Sequence, residues 1–125
     1  MLSKERKTES GETAIDPVFV LDQTFCPNYL FLGEGKILST MRAISFASGS
    51  KFPSGGKVTA GYCVGNNKTE ELMKKIETHL LLCDNEATAY QYKVLAEQIP
   101  TMNERILSAY QNTRKFVNYI HEVLP

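Results

Sequence analysis

Apolar and small residues recur in alternating steps of three and four along the second half of the chain, in two consecutive series. This spacing keeps one side of an α-helix apolar, and its heptad form suits packing against another helix. The pattern therefore predicts two amphipathic helices between Asn67 and Leu124. The first series is Met73, Ile76, Leu80, Cys83, Ala87, Tyr90 and Val94, and the second is Ile99, Met102, Ile106, Ala109, Thr113, Phe116, Ile120 and Val123.

The two series are out of phase, because in one straight helix Val94 and Ile99 would point about 140° apart. Pro100 lacks a backbone N–H and disfavours helical geometry at the residue before it. Thr101 and Glu104 then match the Thr-x-x-Glu pattern of a capping box, which marks the start of a new helix. The chain is expected to turn or kink between the two series.

A reversal near Gln98 would make the two helices antiparallel and pair residues whose numbers have a constant sum. Leu80 would then face Phe116, and Cys83 would face Thr113 as a small buried residue. We therefore expect a mainly α protein with a C-terminal antiparallel helical hairpin of coiled-coil-like packing. The alternative is one long helix with a proline kink.

The N-terminal half shows a different pattern, with short apolar runs separated by polar and glycine-rich stretches. Val18–Leu21 and Tyr29–Leu32 favour extended structure, whereas Ile37–Ser48 fits both a strand and a helix and is interpreted as a helix. Val58–Val64 is a further extended candidate within a long loop. The expected organisation is a flexible tail at 1–16, a loop-rich region with short strands or one short helix at 17–66, and the hairpin at 67–125.

Several apolar residues lie off the predicted seam of the hairpin. Two helices have only one mutual interface, so either the N-terminal half or another chain must cover the remainder. We assign the following residues to a partner-binding surface: Leu72, Leu81, Leu95, Leu107, Tyr110, Val117 and Leu124.

Composition and charge narrow the choice of partner. The 125 residues are enough for one domain, and 14 Lys and Arg balance 14 Asp and Glu. No basic stripe for a nucleic acid and no transmembrane or signal segment is recognisable. Three cysteines without a Cys-x-x-Cys pair indicate a reducing, cytoplasmic setting rather than a disulfide framework.

No catalytic, cofactor-binding or metal-binding residue is predicted. The glycine-rich stretch 49–57 lacks the spacing of a phosphate-binding loop, which has four residues between its first glycine and a Gly-Lys pair followed by Ser or Thr. Here six residues separate Gly49 from Gly56-Lys57, and Val58 follows. His79 and His121 are the only histidines, and neither belongs to a known ligand motif. No cofactor is expected.

The sequence therefore favours a non-enzymatic protein–protein interaction module, a small helical subunit or adaptor of an oligomeric or multi-subunit intracellular assembly. Its partner would be another protein or a second copy, bound through the helices. The alternative is a self-contained α+β domain that binds a small molecule or acts as a small enzyme. In that case Lys36, Arg42, Lys51, Lys57 or the histidines would line a cleft.

Overall fold

The chain folds as a mixed α+β protein, with a small sheet from its N-terminal half and helices from its C-terminal half. A computed structural model describes residues 17–124, so the tail predicted at residues 1–16 lies outside the described part. Helices account for 47% of the described residues and strands for 14%. The expectation of a mainly α protein is corrected accordingly, because the short apolar runs before the helices pair with one another as strands.

The sheet has three strands, β1 (Phe19–Asp22), β2 (Ala43–Ser48) and β3 (Gly61–Gly65), in that spatial order. β1 runs parallel to β2, and β3 runs antiparallel to it. In this register Ile44 of β2 lies between Val20 of β1 and Gly65 of β3. The central strand is therefore paired along both sides.

The expectations for these strands had mixed outcomes. The strand expected at Val18–Leu21 is confirmed as β1. The extended structure expected at Tyr29–Leu32 is wrong, since the chain forms turns and irregular structure there. The helix expected at Ile37–Ser48 is also wrong, because its second half is β2. Arg42, a charged residue within this stretch, lies just before β2 and therefore does not interrupt the strand.

The first predicted helix is divided into α1 (Glu70–Leu82) and α2 (Ala89–Gln98). α1 ends in a Schellman motif, in which Asp84 adopts a left-handed φ of 53°. The N–H groups of Asp84 and Asn85 donate back to Leu81 O (3.3 Å) and Leu80 O (2.9 Å). These bonds close the end of α1 and prevent the helix from continuing to Val94.

α2 begins with a capping box at Thr88 and Gln91, within the segment that the heptad pattern predicted as the middle of one helix. The Thr88 side chain accepts a hydrogen bond from the Gln91 backbone N–H at 3.3 Å. The Gln91 side chain in turn accepts from the Thr88 backbone N–H at 2.8 Å. Two unpaired N–H groups at the helix start are thereby satisfied.

α3 (Met102–Val123) follows α2 through the single 3₁₀ turn Ile99–Thr101. Gln98, Ile99 and Met102 all keep right-handed helical dihedrals around Pro100. The capping box expected at Thr101 is wrong, because the Thr101 side chain caps no backbone N–H and its hydroxyl donates to Gln98 O at 3.2 Å. The path past Pro100 thus resembles the kinked-helix alternative.

The structure does not confirm the hairpin. Tyr90 and Phe116 were expected inside its seam, yet they expose 68% and 63% of their surface. Cys83, expected to be buried there, is also exposed. α2 instead packs its buried side against the loop between β2 and β3.

That packing forms a hydrophobic core, in which Val58 and Ala60 of the loop contact Val94 and Leu95 of α2. The backbone approaches closely here, since a Cβ atom on Gly49 would lie 1.9 Å from Ala60 O. Leu95 therefore belongs to the protein's own core, and its assignment to the partner-binding surface is wrong.

Candidate interaction surface

The first turns of α3 are held firmly by the rest of the protein. Ile106 is fully buried and Met102 is 8% exposed. The Arg105 guanidinium donates to Phe52 O and Pro53 O (3.4 Å) of the loop after β2 and to Gln98 O (3.1 Å) at the end of α2. One side chain thus links α3 to two neighbouring segments.

Further along, α3 loses these contacts. The Tyr110 hydroxyl, 3.4 Å from Phe25 O, is the last α3 side chain in the described chain with a hydrogen-bonding contact outside the helix. Every residue in the range 111–119 is exposed. The distal part of α3 is therefore a helix with little tertiary support.

The side of α3 that is buried at its start remains apolar to its end. At 100° per residue, Met102 and Ile106 share a side with a row of later residues. Two of these, Phe116 and Leu124, each expose 63% of their surface. We call this row the distal face of α3: Ala109, Tyr110, Thr113, Phe116, Val117, Ile120, Val123 and Leu124.

The opposite side of α3 is polar, with Gln111, Lys115, Asn118 and Glu122. An apolar stripe opposite a polar side is the pattern of a helix that packs against something. The described chain buries this stripe fully only at Met102 and Ile106, and most of the distal face is exposed to solvent.

α1 repeats this arrangement on a smaller scale. Its start is anchored where the buried Thr69 hydroxyl lies 3.2 Å from Ala43 O of β2 and 2.9 Å from Asn66 O. The Asn66 side chain in turn donates to Leu38 O and Met41 O. No residue of α1 itself is buried, and Leu82 is 79% exposed.

The predicted partner-binding residues fall into three groups. Val117, Tyr110 and Leu124 lie on the distal face, whereas Leu107 lies outside it by helical phase. Leu81 is exposed on α1 and Leu72 is half-buried there, and Leu95 is in the core. Phe116, Ile120 and Val123, which the sequence placed inside the hairpin seam, also lie on the distal face.

Few polar side chains in the described part of the chain lie close enough together to form a reactive or metal-binding site. The Cys83 thiol lies 3.6 Å from His79 Nε2 on the exposed end of α1. Among residues 17–124 no three His, Cys, Asp or Glu side chains converge to hold a metal ion. The ion pair between Glu70 and Lys74 (2.8 Å) is exposed, so it contributes little to stability.

The pKa shifts that the structure produces lie in and next to the sheet. Burial raises the pKa of the Cys63 thiol and of the Tyr62 hydroxyl on β3. Hydrogen bonds from Thr24 lower the pKa of Asp22, whose carboxylate accepts from the Thr24 N–H at 2.9 Å. Cys63 and Tyr62 therefore lie in a partly desolvated part of the sheet, whereas Asp22 is exposed, and the three groups do not form a reactive cluster.

Comparison of the chain with protein-family models, curated proteins and solved structures finds no match. In the part of the chain that the structure describes, no helix is both long and apolar enough to span a bilayer. The interpretation of the distal face therefore depends on its own geometry.

Proposed function

We propose that this chain is a non-enzymatic protein–protein interaction module, which joins an oligomeric or multi-subunit assembly through α3 and α1. The observation that carries the proposal is the continuous apolar side of α3. Its first part, Met102 and Ile106, is covered by the chain itself, whereas Phe116 and Leu124 on the same side face solvent. Burial of such side chains is the main driving force of protein association.

Helix energetics support the same proposal. Isolated helices of fewer than about 12 to 15 residues are marginally stable in water, and tertiary packing normally stabilises helices in proteins. The part of α3 beyond Tyr110 is of similar length and lacks such packing within the described chain. A partner that covers the distal face would supply the missing contacts.

The form we propose for the assembly is antiparallel pairing of α3 with α1 of another chain. The two helices carry matching periodic series, in which Leu80 pairs with Phe116 and Ile76 with Ile120. Leu80 is 37% exposed and Ile76 is half-buried, so α1 offers these positions to a partner. Exchange between two copies would give a symmetric dimer with two such interfaces.

The mass of the purified chain in solution, measured by light scattering over a range of concentrations, tests the proposal. We expect association above the 14.0 kDa of one chain. Phe116→Asp with Ile120→Asp places two charges on the distal face and should yield a monomer that keeps its helical circular dichroism. Desolvating a carboxylate at an apolar interface is strongly unfavourable.

The matched control is Gln111→Asp with Asn118→Asp, which adds the same charge to the polar side of α3. This variant should associate like the unmodified chain. A chain that is monomeric at every concentration, or equal disruption by both double variants, would contradict the proposal.

A further inference from the structure

A cavity of about 420 Å³ lies between the turn at Thr24 and Phe25, the loop after β2, and the start of α3. Its volume is within the range of small-molecule sites in proteins. It is located at the anchored end of α3, not on the distal face, and it therefore has no part in the association proposed above.

Two phenylalanine residues form apolar walls of the cavity, and the backbone of each contacts a side chain of α3. Phe25 on one side is 83% exposed, and its carbonyl oxygen lies 3.4 Å from the Tyr110 hydroxyl. Phe52 on the other side is held by the Arg105 guanidinium, which donates to its carbonyl oxygen. Two aromatic side chains thus border a space that the chain leaves open.

Two cationic residues border the cavity, although nearly all of its lining surface is apolar. Lys51 and Arg105 both line it, and no acidic residue does. Neither side chain forms an ion pair with a carboxylate of the described residues. The acidic residue near this turn, Asp22, has its carboxylate on the Thr24 backbone N–H.

The Arg105 guanidinium is also incompletely satisfied. Its two terminal nitrogens donate to three backbone carbonyl groups and to the Thr101 hydroxyl. The remaining donor, Nε, is buried without a hydrogen-bond partner in the described residues. A Cβ atom on Gly55, which also lines the cavity, would lie 3.7 Å from this Nε atom, so the glycine keeps the space beside it open.

From these observations we infer that the cavity binds a small organic acid, with its carboxylate near Lys51 and Arg105 and its apolar body between Phe25 and Phe52. A positively charged site without a protein carboxylate favours an anion, because the ligand then supplies the missing counter-charge. The aromatic walls favour a ligand with an apolar body over inorganic phosphate.

Phenylacetate is a suitable probe, because it combines one carboxylate with one aromatic ring. Its neutral counterpart phenylacetamide has nearly the same shape, and inorganic phosphate carries charge without an apolar body. In ¹H–¹⁵N spectra of the full chain, phenylacetate should shift amide signals of Thr24, Phe25, Lys51, Phe52 and residues 54–56. Its affinity should exceed that of the other two probes by about tenfold or more.

Two charge reversals on the same loop locate the site. Lys51→Glu should weaken phenylacetate binding about tenfold or more, since Lys51 lines the cavity. Lys57→Glu, at an exposed position that does not line it, should change the affinity by less than about twofold. Arg105 is kept unchanged, because its other N–H groups hold the loop to α3.

Equal binding of phenylacetate and phenylacetamide would overturn the inference, as would equal effects of the two lysine reversals. Shifts confined to the distal face of α3 would also overturn it. Because neither lysine lies on α3, failure here leaves the association proposal untouched, and the light-scattering result does not bear on the cavity.

Discussion

The sheet region and the helices α1 and distal α3 differ in which of their apolar side chains the chain itself buries. Around the sheet, small residues such as Ala43 and Ala47 are buried and the backbone approaches itself closely at Gly49. On α1 and distal α3, larger side chains such as Leu82 and Phe116 face solvent. The loop between β1 and β2 also exposes large side chains, such as Leu30 and Ile37. The two regions therefore differ in anchoring, since the sheet region contains buried residues whereas α1 and the range 111–119 of α3 contain none.

The boundary between the two regions runs through α3 itself. Ile106 is fully buried, and ten residues later Phe116 on the same helix is 63% exposed. The helix thus belongs to the folded region at its start and to the interaction surface at its end.

The largest expected difference between the regions concerns core truncation. Ile106→Ala removes a fully buried side chain and should lower the free energy of unfolding by about 2 to 5 kcal/mol. Leu82→Ala, at a position that is 79% exposed, should change it by less than about 0.5 kcal/mol. Urea unfolding at one fixed protein concentration measures both. Similar losses in the two variants would mean that α1 is covered after all.

A smaller difference is expected between two threonines near α1. Thr69→Val removes the buried hydroxyl that lies 3.2 Å from Ala43 O and 2.9 Å from Asn66 O, and it should cost about 1 to 2 kcal/mol. Thr78→Val removes an exposed hydroxyl that donates only to Lys74 O within the helix, and its effect should be near zero. The same unfolding experiment separates them. A neutral Thr69→Val would show that α1 is not anchored to β2.

The smallest perturbation is chemical labelling of the cysteines in the folded protein. Burial raises the pKa of the Cys63 thiol on β3, so at any given pH it holds less reactive thiolate than an unperturbed thiol. Cys83 at the end of α1 is exposed. Iodoacetamide near pH 8 should modify Cys83 about tenfold faster or more, as followed by peptide mass spectrometry. Faster modification of Cys63 would contradict the division into a folded and an exposed region.

Local signals in the sequence predicted part of this architecture. The apolar run at Val18–Leu21 predicted a strand, and β1 forms there. The periodic series from Met102 to Val123 predicted a helix, and this segment is one continuous helix. The break after α1 was also encoded, because Asp84 and Asn85 tolerate a left-handed conformation and Thr88 with Gln91 match a capping box. The heptad spacing continues through Cys83 and Ala87 and therefore predicted one uninterrupted helix. Both residues lie between α1 and α2, where the helix is broken.

The remaining features depend on contacts between distant parts of the chain. Val94 and Leu95 are buried because Val58 and Ala60 pack on them, and no local pattern shows that pairing. The same applies to Arg105, whose guanidinium reaches the carbonyl groups of Phe52 and Pro53. The cavity beside Arg105 results from this tertiary link, so the sequence alone indicated only that Lys51 was a candidate for a cleft.

Hydrogen exchange along α3, measured at several protein concentrations, tests the central claim most directly. We predict that amides in the range 104–110 are protected at every concentration, because the folded region holds this part of the helix. Amides in the range 114–123 should become protected only as concentration rises and the distal face is covered by another chain. Strong protection of both segments at the lowest concentration, or no concentration dependence, would contradict the account.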